Sequence, residues 1–227
     1  MSARTVLIFD CYVELPGASG NFIRQLGNSD FEVCLSAHGG VPQRPIRDYD
    51  AIVVTGSAAS VRSSSDWITR LSDDVSQAVA NDVPILGVCF GHQLLSTVLG
   101  GRVEQSPVPE VGTVEIELLK ASPLTSGLAK TFSCFVSHED EVVSVGKDCE
   151  ILAQSKHCAI QAFQHRTARA YGIQFHPEMP AEECLDLLRY RAERHPSLEL
   201  DVDHIHASRV DQSELARCVF GNFLSTV

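Results

Sequence analysis

Val83-Pro84-Ile85-Leu86-Gly87-Val88-Cys89-Phe90-Gly91-His92-Gln93-Leu94-Leu95 reads as a buried strand that runs into a helix through a very tight turn. The apolar run Val83–Leu86 precedes the turn, and Leu94, Leu95, Val98 and Leu99 follow it at helical spacing. Gly87 and Gly91 bracket Cys89, the pattern of a Gly-x-Ser-x-Gly nucleophile elbow with sulfur in place of oxygen. Such a turn is expected to hold the apex side chain strained and exposed at the carboxyl end of a sheet. A thiol at a helix N-terminus meets the positive end of the helix dipole, which favours the thiolate. This heptapeptide, Gly87 to Gln93, predicts covalent catalysis through cysteine.

Outward from the elbow, the first half of the chain alternates strand and helix. Thr5–Phe9, Phe31–Leu35 and Ala51–Val54 are short apolar runs of the kind found in central parallel strands. A helix fits residues 21–27, and a longer one carries Trp67, Ile68, Leu71, Val75, Ala78 and Val79 at helical spacing. Gly100-Gly101 closes the elbow helix. From about residue 102 the pattern changes to strands: Thr113–Leu118 alternates with period two, and residues 132–136, 141–145, 151–153, 158–163 and 168–175 continue it. Helices fit Ala181 to about Arg194 and Asp211 to Leu224. The spacing predicts one α/β domain over 1–227, with a core at about 5–190, a polar loop at about 191–212 and a terminal helix at about 211–225. Its sheet is expected to be open and mostly parallel, flanked by helices, with an antiparallel, strand-rich section in the second half.

Composition narrows the function classes. A net charge of −11 over 227 residues argues against nucleic-acid and anionic-membrane partners, which need a basic face. No phosphate-cradling Gly-x-x-x-x-Gly-Lys-Ser/Thr loop is present, and no cofactor is expected. The eight cysteines are scattered without a Cys-x-x-Cys pair, and no signal-peptide or 18-residue apolar run occurs. The expectation is a reducing, cytoplasmic setting, with the seven cysteines other than Cys89 acting as small buried hydrophobes.

A cysteine nucleophile needs a base, and the base needs a group that fixes its tautomer. Phe175-His176-Pro177-Glu178 offers both. The residue before proline is pushed toward extended backbone, where residues i and i+2 project to one side. His176 and Glu178 can then act together, one imidazole nitrogen on the carboxylate and the other toward Cys89. The motif stands at the end of an expected strand, the edge where open parallel sheets place their sites.

Gly87-x-Cys89-x-Gly91-x-Gln93 together with His176-Pro177-Glu178 resembles the class I (triad) glutamine amidotransferases, in particular the glutaminase domain of GMP synthetase and its free-standing relatives. Val53–Ser57 and Val136–Val142 extend the resemblance, which covers roughly residues 5 to 190 and implies a flavodoxin-like fold. It implies that Cys89 attacks a γ-carboxamide to form a γ-glutamyl thioester, with His176 as base then acid and Glu178 as its orienter. The backbone N–H groups of Gly56 and Phe90 would bind the oxyanion, Gln93 would line the substrate pocket, and the stretch around Ser137 and His138 would hold the substrate's α-amino and α-carboxylate groups.

Three functions remain open at this point. Ammonia could pass to a separate synthase subunit, a free-standing hydrolase could cleave γ-glutamyl peptides, or the fold could serve a non-catalytic regulatory subunit; the intact triad argues against the last. His92, in the first helical turn, is expected to pack rather than react. His138 and Asp140 fit a structural or substrate-side loop better than a second acid–base pair. Asp201-Val202-Asp203-His204-Ile205-His206 alternates carboxylates and imidazoles, but nothing completes a metal shell, so a solvated loop and no metal are expected.

Overall fold

Strands that are apolar along their whole length need cover on both faces, and the arrangement of helices supplies it. The computed structural model describes residues 4–14, 19–194 and 211–227. Its elements are β1 (Thr5–Asp10), α1 (Gly20–Gln25), β2 (Asp30–Leu35), β3 (Ala51–Val54), α2 (Asp66–Ala80), β4 (Ile85–Val88), α3 (Phe90–Val98), β5 (Arg102–Leu118), β6 (Thr131–Ser144), β7 (Cys149–Gln154), β8 (Ala162–His165), β9 (Ala170–Ile173), α4 (Ala181–Arg194) and α5 (Ser213–Leu224). All nine strands form one sheet in the order β2-β1-β3-β4-β9-β8-β7-β5-β6. The β2-β1-β3-β4-β9 half is parallel and the remaining pairings are antiparallel. The expected α/β domain is therefore present, its two halves joined in one continuous mixed sheet.

Two apolar layers sandwich the parallel half. On one face Phe22, Leu26, Ala216, Val219, Phe220 and Phe223 bring α1 and α5 onto the sheet, with the Phe22 and Phe220 rings edge to face at 6.0 Å. On the other, Ile68, Leu71, Val75 and Ala78 of α2 pack with Phe90, Leu94 and Leu95 of α3. Sequence periodicity placed these helices well.

The antiparallel half differs from expectation. The runs 132–136 and 141–145 form one unbroken strand, β6, because β5 pairs along nearly all of it. The polar residues 137–140, expected as an interruption, sit within the strand, where the side chains of His138, Glu139 and Asp140 have partners of their own. The register slips between Gln105 and Glu110, where Pro107 and Pro109 cannot donate to a ladder. α4 runs from Ala181 to Arg194, where the spacing places a helix; residues 195–210, with most of the expected loop and the Asp201–His206 cluster, lie outside the described residues. Among the described residues no helix is long and apolar enough to cross a membrane.

His92 lies fully buried on α3, its ring 5.0 Å from that of Phe163 and against the backbone of Gly172. Burial disfavours the imidazolium and pushes its pKa down to about 3. Unfolded, the same ring takes a proton near pH 6.5. Acid therefore favours the unfolded chain as pH falls below 6.5. Between pH 7 and pH 5 this one residue should remove about 2 kcal/mol of stability, and His92→Gln should flatten that part of the profile in urea unfolding. A variant with wild-type pH dependence would assign the acid sensitivity elsewhere.

Candidate active site

The elbow begins where β4 ends. Cys89 takes φ 54° and ψ −105°, a left-side backbone conformation that a residue with a Cβ holds only when its surroundings dictate it. They do so by close contact. A Cβ on Gly87 would stand 2.3 Å from the Gly91 carbonyl oxygen, and one on Gly91 2.3 Å from that of Val54. The Cys89 N–H donates to the Ile173 carbonyl at 2.8 Å and the Gly91 N–H to the Thr55 carbonyl at 3.2 Å. The Gln93 N–H bonds the Cys89 carbonyl at 3.1 Å, which opens α3. Contrary to the sequence expectation, the apex is not exposed: Cys89 is only 5% accessible, roofed by the Gly56 turn and by β6, whose Ser137 carbonyl accepts from the thiol at 3.9 Å.

Immediately after β9 the chain delivers the other two residues. His176 Nδ1 and Glu178 Oε1 are 2.8 Å apart, with both side chains buried. Burial alone would lower the imidazole pKa; the facing Glu178 and Cys89 outweigh it and raise His176 to about 10. The His176 N–H is pinned to the Phe135 carbonyl at 2.8 Å. Tyr12, just past β1, lies close enough to Glu178 and Cys89 that both carboxylate and thiolate raise its phenol pKa, after burial as the main cause.

Gly56 touches both reacting side chains. A Cβ there would lie 3.0 Å from His176 Cε1 and 3.7 Å from Cys89 Cβ, so a bare backbone is what lets the turn come this close. Thr55 holds the turn, its N–H on the Phe9 carbonyl at 3.1 Å and its hydroxyl accepting the Cys11 N–H at 2.9 Å. Among the described residues neither the Gly56 nor the Phe90 N–H has a partner within the chain. Two free donors therefore flank the thiol.

The expected pocket residues are arranged less simply. Gln93 Nε2 donates to the Asp140 carbonyl at 2.8 Å and to Gln174 Oε1 at 3.1 Å, bracing α3 against β6. The imidazole of His138 is engaged elsewhere, Nδ1 on the Asp140 carbonyl at 3.1 Å and Nε2 on Glu110 at 3.2 Å; from this stretch the Ser137 carbonyl meets the Cys89 thiol. Asp140 is an anchor, accepting from Arg62 Nε at 3.1 Å and from Ser60, and so fastens the loop after β3 over β6. Glu139 pairs with Arg191 of α4.

Glu110, His138 and Cys158 bring one N, one O and one S donor within 4.8 Å of one another. Ser155 and Gln161 already donate to that carboxylate, each at 2.7 Å, and burial pushes the Cys158 thiol up to about 12. A cation would have to displace these bonds and take the thiol proton. The group is better described as a brace behind β6. Of the seven cysteines other than Cys89, six are buried and Cys218 is half-buried, and all eight thiols are free.

Known proteins of one family resemble this chain. The family model "Glutamine amidotransferase class-I" matches residues 7–185. The chain is similar to a subunit of the glutamine-hydrolyzing GMP synthase of Sulfurisphaera tokodaii, 34% identical over 145 residues, 63% of this chain and 76% of that protein. It is also similar to the corresponding subunit from Methanobrevibacter smithii, 45% identical over 98 residues, 43% of this chain and about half (52%) of that protein. A glutamine amidotransferase structure from Thermotoga maritima superposes with a TM-score of 0.85 at 18% identity, covering 100% of this chain and 98% of that one. One from Methylobacillus flagellatus gives 0.77 at 23%, covering 100% and 96%; at these identities the likeness concerns the fold.

Proposed function

Since the chain belongs to the class-I glutamine amidotransferase family, we propose that it hydrolyses the γ-amide of glutamine through a thioester on Cys89 and hands the ammonia to a separate synthase subunit. The observation that carries this reading is the buried 2.8 Å contact of His176 with Glu178 beside the strained Cys89 elbow. His176 holds the thiol proton as an imidazolium while the thiolate sulfur bonds the γ-carbon, then gives that proton to the departing nitrogen. Ammonia leaves and a γ-glutamyl thioester remains. Water, deprotonated by the same imidazole, displaces sulfur and releases glutamate. Glu178 keeps Nδ1 protonated so that Nε2 is free to act. The free N–H groups of Gly56 and Phe90 meet the oxyanion in both steps. Gln93 and the main chain of Ser137 and His138 complete the pocket.

The similar archaeal proteins are named as subunits of GMP synthase, which supports an ATP-consuming synthase subunit as the ammonia acceptor. Eight unpaired cysteines support a reducing, cytoplasmic setting. The test is a substrate panel of glutamine and γ-glutamyl dipeptides, with and without a purified GMP synthase synthetase subunit. Glutamate release from glutamine, raised by that subunit, is the expected result. Turnover of dipeptides with glutamine untouched would replace the amidotransferase reading by a peptide hydrolase. No turnover, with Cys89 inert to a glutamine-analogue alkylator, would leave a non-catalytic subunit.

A further inference from the structure

Gln212 lies beyond the stretch that matches the family, at the N-cap of α5, and is 5% exposed. Its amide is fully engaged at the candidate active site. Oε1 accepts from the Phe135 N–H at 3.1 Å and from the Cys134 thiol at 3.3 Å. Nε2 donates to the His176 carbonyl at 2.6 Å and to the Met179 carbonyl at 2.7 Å. The His176 N–H returns to the Phe135 carbonyl at 2.8 Å, which closes a ring between β6 and the segment carrying both His176 and Glu178. Two residues along β6 from this ring, the Ser137 carbonyl faces the Cys89 thiol.

The chemistry demanded here is narrow. Two carbonyls need a two-proton donor, and a main-chain N–H needs an acceptor, all at the end of one three-carbon stem. Glutamate would set a carboxylate against two carbonyl oxygens, and asparagine would fall one methylene short. The Glu178–His176 bond cannot substitute for the clamp, because both residues ride on the same segment and move together.

We infer that Gln212 is a positioning residue: by clamping the main chain of His176 and Met179 to β6, it sets the reach of the imidazole to Cys89. The kinetic part of this inference rests on the glutaminase reading above. Its chemical part does not, because alkylation of Cys89 reports the thiol–imidazole contact without any substrate.

The experiment uses the full chain and the variants Gln212→Met and Gln212→Glu, each checked for folding by circular dichroism and a melting curve. If either fails to fold, Gln212→Asn takes its place. Glutamine turnover is measured alongside iodoacetamide labelling of the Cys89 peptide across pH 5 to 9, read by mass spectrometry. The other ionisable groups around the imidazole, Glu178, Tyr12 and Asp10, are unchanged, and burial keeps the neighbouring Cys134 and Cys184 thiols protonated. Per folded molecule, kcat should fall on the order of 30- to 100-fold, as displacement of a reacting group by about 1 Å does. KM should change by less than about threefold, and the midpoint of Cys89 labelling should rise by at least about one pH unit as the thiolate loses its cation. A lowered melting temperature with wild-type kcat and an unmoved labelling midpoint would reduce Gln212 to a structural strut and overturn the inference. If the wild type does not turn over glutamine, the glutaminase reading fails, and the labelling midpoint alone decides for or against the clamp.

Discussion

Replacing Cys89 with alanine should lower glutamate release by about 10⁴-fold or more, since no second nucleophile can form the thioester and only binding and oxyanion contacts remain. His176 and Glu178 keep their bond in that variant, so the loss belongs to the sulfur. Cys89→Gly should be equally inactive yet more stable than Cys89→Ala. Glycine adopts φ near 54° freely, whereas a Cβ there stores strain on the order of 1–3 kcal/mol. Calorimetry should place the glycine variant's Tm several degrees above that of the alanine variant. Equal melting temperatures would mean that the elbow is not strained; wild-type release by either variant would remove Cys89 from the mechanism.

Gly91→Ala should produce a chain that does not fold, or one destabilised by more than about 4 kcal/mol. The added methyl would meet the Val54 carbonyl oxygen at 2.3 Å. That oxygen cannot retreat, because Val54 ends a strand held between β1 and β4. Gly221→Ala is the control: a Cβ there has open space in α5, and alanine should be neutral or add up to about 1 kcal/mol. Expression yield and urea midpoints separate the two. A soluble Gly91→Ala protein with wild-type stability would show that the turn can relax.

Much of the site is legible in the sequence because its key pieces are local. The elbow announces itself through glycines four residues apart, and His176 and Glu178 are fixed in relation to one another by the proline between them. What escapes local reading is held together across the chain. Burial of Cys89 depends on Gly56 and Ser137, which arrive from β3 and β6. The engagement of His138 depends on Glu110, which is 28 residues earlier and one strand over. Gln174 carried a weak signal, standing two residues before His176 on a strand end. Gln212 carried none, since a glutamine after a polar stretch resembles any solvated residue. The unbroken β6 was misread for the same reason: polar side chains suggest a turn unless their partners Glu110, Arg62 and Arg191 are known.

The strand order also bears on how the protein is born. β4 is apolar apart from Gly87 and pairs on one side with β3, but its other neighbour is β9, and the long excursion through β5 to β8 lies between them. During synthesis, the edge of β4 with the nucleophile at its tip emerges about 80 residues before the strand that covers it. At 5–20 residues per second that is a wait of roughly 4–16 seconds. Throughout it the nascent chain offers an unpaired apolar edge, the kind that recruits other chains, and closure of such a distant pairing is slow by nature. Yield in cells should therefore depend more on shielding by chaperones during translation than on the stability of the finished fold.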